Sequence, residues 1–334
     1  MRLRLSAAAA LAICALGCGR DATGPASPVL PIPTAPTGSG PTTSIRIVST
    51  LTDQPVSGAS ATGAPVRSTT SGGDGFVTLE APRPGRYAIS VTAAQYVTRQ
   101  TTVSIPAGEA SIDLIASNFD LVAFDQMFRG VTTAGRLAKW STAPVLIVQR
   151  TGLVWASSQD DRYLAEGEQW TDGDIAGLIA DLTFGLQTIS AGVFQEFSAI
   201  RVEQATAGTT VTVPQAGAIV VARYRGLRGP SGSRIGGLGT TNTDAAGVIR
   251  GGMLMLDRDG ELSAPASARR VRVHELGHVL GTSHVTSRLS FMNPDGNGGL
   301  PNDADIDAFR VAARRPPGNR SPDVDPPEFT PFYF

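Results

Sequence analysis

The chain has 334 residues, of which 41% are apolar and 17% charged, and its net charge is −1. That length allows two domains with ordinary cores, and the near-neutral balance excludes a general attraction to nucleic acid or to an anionic membrane. Its 38 glycines and 23 prolines indicate many turns and loops. The two cysteines are Cys14 and Cys18, so the body beyond them has no disulfide and no thiol to cover a metal.

Arg2 and Arg4 precede an apolar core from Leu5 to Leu16, the pattern of a bacterial export signal over residues 1–18. The core is too short to span a bilayer as a helix. Ala15-Leu16-Gly17-Cys18 resembles a lipobox, with Ala where Leu is usual. Cys18 is therefore the expected lipidation site and the only expected membrane contact. An exported protein anchored at the cell envelope (outer membrane or cell surface) follows; the alternative is an ordinary signal peptide and a secreted product. Residues 19–43 are rich in Pro, Thr, Ser and Gly, have few large apolar residues, and read as a semi-stiff extended linker.

Residues 44–116 change character. Ile45–Val48, Phe76–Leu79, Tyr87–Val91, Thr101–Ile105 and Ile112–Ile115 are short, β-branched runs parted by turn signals such as Gly72-Gly73-Asp74-Gly75 and Pro84-Gly85. The spacing predicts a small all-β sandwich. Asp74-Gly75-Phe76, Pro84-Gly85-Arg86-Tyr87 and Gln95-Tyr96 follow the order seen in carboxypeptidase-regulatory-like domains, which this stretch resembles, with Gln95 in place of the usual Gly. A spacer or folding unit and a binding module are both open roles.

A second, α+β domain is expected over 117–315, with a Pro-rich irregular tail from 316 to 334 whose closing Phe332-Tyr333-Phe334 packs back. Phe119–Arg129 reads as an amphipathic opening segment and Pro144–Val148 as a buried first strand. Thr171–Ser190 reads as a helix, with Thr171 or Asp172 as N-cap, Asp174 in its first turn, and Ile175, Leu178, Ile179, Leu182 and Leu186 on one face. Ala199–Glu203 and Ala218–Ala222 read as further strands, and Gly226–Gly239 as a mobile surface loop. Val248–Leu256 is expected to be an edge strand, its neighbour, or an internal strand. Ser263 or Ser267 begins a helix over Ala266–Leu280, on which Arg269, Arg270 and Arg272 are expected to be solvated. Asp303, Asp305 and Asp307 suggest a calcium loop or, on the plainer reading, the acidic start of a helix running to Arg314.

All three histidines of the chain lie in residues 274–284, HELGHVLGTSH. His274 and His278 stand at i and i+4, so a helix puts both imidazoles on one face. His284 lies six residues further on and reaches the same point only if the chain turns out of the helix, for which Gly281 suits a left-handed exit. Three imidazoles with one open position form the ligand set of a catalytic zinc site, and Glu275 is placed as its base. The pattern HExxHxxGxxH resembles that of the metzincin metallopeptidases, and Ser290-Phe291-Met292-Asn293-Pro294 resembles their Met-turn.

The resemblance implies an α/β/α-type peptidase domain following the sandwich, a substrate-binding edge strand, and Met292 as the floor beneath the metal. It is closest to matrixin-like bacterial enzymes. The only tyrosine after the motif is Tyr333, so no tyrosine ligand is assigned. The expected activity is a zinc endopeptidase cleaving extracytoplasmic proteins or peptides, with Glu275 as general base. The alternatives are an adhesion protein in which the sandwich is the working module, and a zinc hydrolase of non-protein substrates. The sequence leaves oligomeric state, natural substrate and latency mechanism open.

Overall fold

The computed structural model of the chain describes residues 40–329, apart from 109, 131, 133–134, 156–161, 213–214, 229–231 and 264. The export signal, Cys18, nearly all of the linker and Phe332-Tyr333-Phe334 lie outside the described residues. Among those described, no helix is long and apolar enough to cross a membrane.

Seven strands come first: β1 (Thr42–Ser49), β2 (Ser60–Thr62), β3 (Arg67–Ser68), β4 (Phe76–Glu80), β5 (Gly85–Thr92), β6 (Arg99–Ile105) and β7 (Ala110–Leu114). They form a four-stranded sheet, β3-β4-β1-β7, and a three-stranded sheet, β2-β5-β6. In β1, buried Thr43, Ile45 and Ile47 alternate with exposed Thr42, Ser44 and Arg46, the period of a strand with one wet face. Ile45, Ile47, Val77 and Leu79 of the first sheet meet Ile89, Val91, Val103 and Ile105 of the second in one core. Gln95 has φ 66°, a left-handed conformation that glycine adopts without penalty.

The second part begins with α1 (Leu121–Phe124), which runs into a π-turn at Asp125–Arg129 and buries Phe124, Met127 and Phe128. Then follow β8 (Val145–Gln149), β9 (Thr151–Trp155), β10 (Arg162–Gln169), α2 (Asp172–Ile189), β11 (Ala199–Glu203), β12 (Thr210–Thr212), β13 (Ala218–Tyr224), β14 (Gly237–Thr243), β15 (Ile249–Asp257), α3 (Arg258–Ser263), α4 (Pro265–Val279) and α5 (Asp303–Ala313). α2 starts in a capping box between Thr171 and Asp174 and buries Ile175, Leu178, Leu182 and Leu186. The fold is thus mixed, an all-β part followed by a part that combines helices with a larger sheet.

The heart of that sheet runs β11-β8-β13-β15-β14, parallel except for β14. β13 is buried along its whole length, as parallel strands covered on both faces are. β9 joins β13 by a short parallel pairing, and β10 and β12 extend the sheet from it as antiparallel strands. α2 and α4 pack together where Gly185 leaves room for Val273 and Leu276, and both helices share a core with Leu146, Val148, Ile219, Val221, Leu254 and Leu256.

Two expectations change, those for 226–239 and for Arg272. The end of the glycine-rich stretch 226–239 is not loop but the start of β14, and β14 is the edge strand beside α4. Val248–Leu256, for which the sequence leaves edge, neighbouring and internal positions open, falls mainly on β15, the internal neighbour of β14. Arg272 is buried rather than solvated, because Asp181 of α2 accepts from it at 2.9 Å; Arg269 also pairs with Asp181.

The C-terminal segment is irregular, yet it carries a buried ionic network. Arg315, Asn319 and Asp323 are at most 1% exposed. Arg315 donates to Asp323 at 2.7 and 2.8 Å and also to Asp113 of β7. Arg99 of β6 donates to Asp113 at 2.8 Å and to Asp325 at 2.9 Å. The Asn319 side-chain amide donates to Asp323 and Asp325, while its Oδ1 accepts from the Arg129 guanidinium. The main chain joins in: Gln100 N–H donates to Asp323 C=O, and Asp325 N–H to Gln100 C=O. The tail therefore stitches the sandwich to the larger part with backbone pairing and matched charges.

Burial would raise the Asp113 pKa, but Arg315, Arg99 and the Thr50 hydroxyl outweigh it and hold the carboxyl well below its ordinary value. A carboxylate lowered in this way contributes stability that is present above its unfolded pKa, about 4, and lost as pH falls through the folded value. Arg315→Met leaves Asp113 and Asp323 without their shared partner. The expected loss is about 3–5 kcal/mol at neutral pH, read from urea unfolding. The deficit should narrow in acid below about pH 4, where protonation relieves the unpaired carboxylates. A loss that is small at pH 7, or independent of pH, would show that the network does not hold the two parts together.

Candidate metal centre

α4 sets His274 and His278 on one face, with ring centroids 5.0 Å apart. The helix then ends in a Schellman turn. Gly281 has φ 98°, its N–H donates to His278 C=O, and Thr282 N–H reaches back to Gly277 C=O at 2.9 Å. A Cβ at Gly281 would also overlap the carbonyl oxygen of Ala138. The turn returns His284 to within 5.4 Å of His274 and 4.7 Å of His278, ring to ring. The α1 segment fixes this exit: Ser283 N–H donates to Met127 C=O, and the Gln126 side-chain oxygen accepts from the Thr286 and Ser287 amides.

One ligand atom from each histidine lies within 4.8 Å of the others. The Nε2 atoms of His278 and His284 are 3.2 Å apart. Two nitrogens at about 2.0–2.1 Å from a tetrahedral ion stand roughly 3.3 Å apart, so the donor set fits such an ion. Backbone carbonyls orient two of the rings. His274 Nδ1 meets Phe291 C=O at 2.8 Å and His278 Nδ1 meets Thr282 C=O at 3.0 Å. A carbonyl only accepts, so each Nδ1 carries the proton and each Nε2 keeps its lone pair. Burial lowers the pKa of all three rings. His278 is lowered to about 4, with His274 adding to the effect. The imidazoles are neutral at physiological pH, the state that binds metal.

Glu275 is 8% exposed, and burial pushes its pKa up to about 7, opposed only in part by a backbone bond from Gly239. The carboxyl lies against β14. Gly237 and Gly239 share one side of that strand, and a Cβ on either would overlap Glu275 or, at Gly239, His278 as well. These two glycines are the part of the site the sequence reading missed. The signal was there as Gly-Leu-Gly at strand period, but few β-formers accompany it.

Below the helix, Met292 is fully buried, and its Sδ would sit 2.8 Å from a Cβ at Gly277. The turn around it is held from both ends. Asn293 donates to Val285 and Arg288 carbonyls, while its side-chain oxygen accepts from Ser290 N–H. Asp305, fully buried, accepts from Ser290 Oγ at 2.7 Å, Phe291 N–H at 3.0 Å, Arg288 at 3.0 Å and Asn302 N–H at 3.2 Å. Asn302 and Asp305 form the capping box of α5, so these aspartates start a helix. Among the described residues, His274, His278 and His284 are the only group of side chains arranged to hold a metal ion.

Asp305 thus acts on the candidate metal centre through one residue, Phe291. It holds the Phe291 N–H, and the carbonyl of the same residue orients His274. Asp305→Asn removes the anion and one acceptor from this turn. Metal affinity should fall by about 10–100-fold, measured by competition with a chromophoric chelator; an unchanged affinity in a folded variant would show that the turn does not position His274.

No family model matches the chain, and no curated protein matches it.

Proposed function

We propose that this protein is a zinc-dependent endopeptidase of the metzincin type that cleaves extracytoplasmic proteins. The observation that carries the reading is the convergence of three neutral imidazoles beside one buried carboxyl whose pKa is raised to about 7. A binding protein would need no carboxyl at that place.

His274, His278 and His284 would hold the metal. Zinc bound there supplies Lewis acidity, acidifying water and polarising the scissile carbonyl. Glu275 takes the proton of the attacking water and passes it to the leaving amine. Its burial and raised pKa suit it to both halves of that transfer. Among the described residues β14 pairs with β15 alone, which leaves its outer edge to receive an extended peptide as an added strand. Gly237 and Gly239 keep that strand close to Glu275. Met292 packs under Gly277 and makes no bond to the metal. The proposed setting is the cell envelope, with Cys18 as lipid anchor.

Glu275→Gln should retain about one zinc per chain and lose casein hydrolysis by about 10²–10⁴-fold. Chelation should abolish wild-type turnover and added zinc restore it. Turnover retained by Glu275→Gln, or insensitive to chelator, would contradict the assignment.

A further inference from the structure

α4 carries three arginines ahead of its first histidine, and they have different surroundings. Arg269 and Arg272 are both held by Asp181 of α2, and Arg269 also lies over the Phe184 ring at 4.2 Å. Arg270 is half-buried and has neither a hydrogen bond nor an ion pair among the described residues. It stands one helical turn before His274, on the same stripe of the helix.

The walls on either side of this stripe are also defined. On one side Val271 lies against Gly236, where the chain enters β14; a Cβ on Gly236 would be 3.5 Å from Val271. On the other side the Arg270 guanidinium lies against Gly296, in the loop that follows Met292; a Cβ there would be 3.6 Å from Nη2. The acid nearest in that loop's sequence, Asp295, accepts from the Asn297 backbone and side-chain amides and forms no ion pair with Arg270. Arg270 therefore extends the face of the metal site towards the N-terminus of α4, the direction in which helical side chains lean. A half-desolvated guanidinium with no partner among the described residues favours a carboxylate from outside.

We propose that Arg270 sets substrate preference, selecting peptides that carry an Asp or Glu side chain next to the bond to be cut. This rests on the endopeptidase reading and names its substrate class. The carboxylate of the peptide receives hydrogen bonds from the guanidinium as the main chain lies along β14, and an uncharged side chain at that position leaves Arg270 unpaired.

The test is cleavage of a mixed peptide library by the zinc-loaded full chain, with products read by mass spectrometry. Wild type should enrich Asp and Glu at one position adjoining the cut by about 10–100-fold over neutral residues. Arg270→Leu should lose that enrichment while still cleaving, and Arg270→Glu should replace it with Lys and Arg. The same products from all three proteins would overturn the proposal and leave the peptidase assignment standing. A second arm measures binding of matched acidic and neutral peptides to zinc-loaded Glu275→Gln by fluorescence anisotropy, with and without Arg270→Leu. Arg270-dependent selection of the acidic peptide, in a protein whose wild type cuts no peptide, would uphold Arg270 and refute the peptidase reading. Equal binding of both peptides would overturn the proposal.

Discussion

The candidate metal centre depends on two hydrogen bonds on the far side of the imidazole rings from the point where their Nε2 atoms converge. Phe291 C=O and Thr282 C=O each accept an Nδ1 proton, from His274 and His278. Those bonds select one tautomer of each ring and turn its lone pair inward. Without them a buried imidazole can rotate or exchange tautomers, and convergence of the Nε2 atoms is lost. Thr282 lies in the turn that ends α4, so its carbonyl is fixed as the helix terminates. Phe291 is fixed from further away, by Asp305 at the start of α5. The order of the site is therefore inherited from one helix C-terminus and one helix N-terminus, both rigid because their backbone groups are paired.

The second constraint is space. Gly277 gives up about 1 kcal/mol of helix propensity and in return admits Met292 and Phe291 beneath α4. Gly237 and Gly239 admit the edge strand above it. The helix that bears the ligands is thus gripped on two sides by contacts that tolerate no side chain. This buries the Glu275 carboxyl, and its desolvation is the physical cause of the raised pKa.

Much of this was legible in the sequence because it is written in local patterns. β8 and β13 are apolar runs, α2 has its cap and its stripe, and the three histidines with Gly281 encode both the face and the exit of α4. What was not legible is non-local or lacks side chains to announce it. Gly237-Leu238-Gly239 reads as loop, since a strand made of small residues has little propensity and is stabilised by β15 and by its fit to α4. Arg315 sits in a proline-rich stretch whose composition carries no sign of burial; its partner Asp113 lies 202 residues away. A buried charge is recognisable only together with the charges that neutralise it. Arg272 was misplaced for the same reason, because Asp181 belongs to another helix.

In the proposed centre His274, His278 and His284 together bind one zinc ion through imidazole nitrogen. Zinc-edge X-ray absorption on the full chain tests it most directly. The prediction is a shell of three nitrogens and one oxygen at about 2.0–2.1 Å, with imidazole scattering that diminishes by one ring in His284→Ala. A shell of oxygen alone, or one unchanged by that substitution, would contradict it.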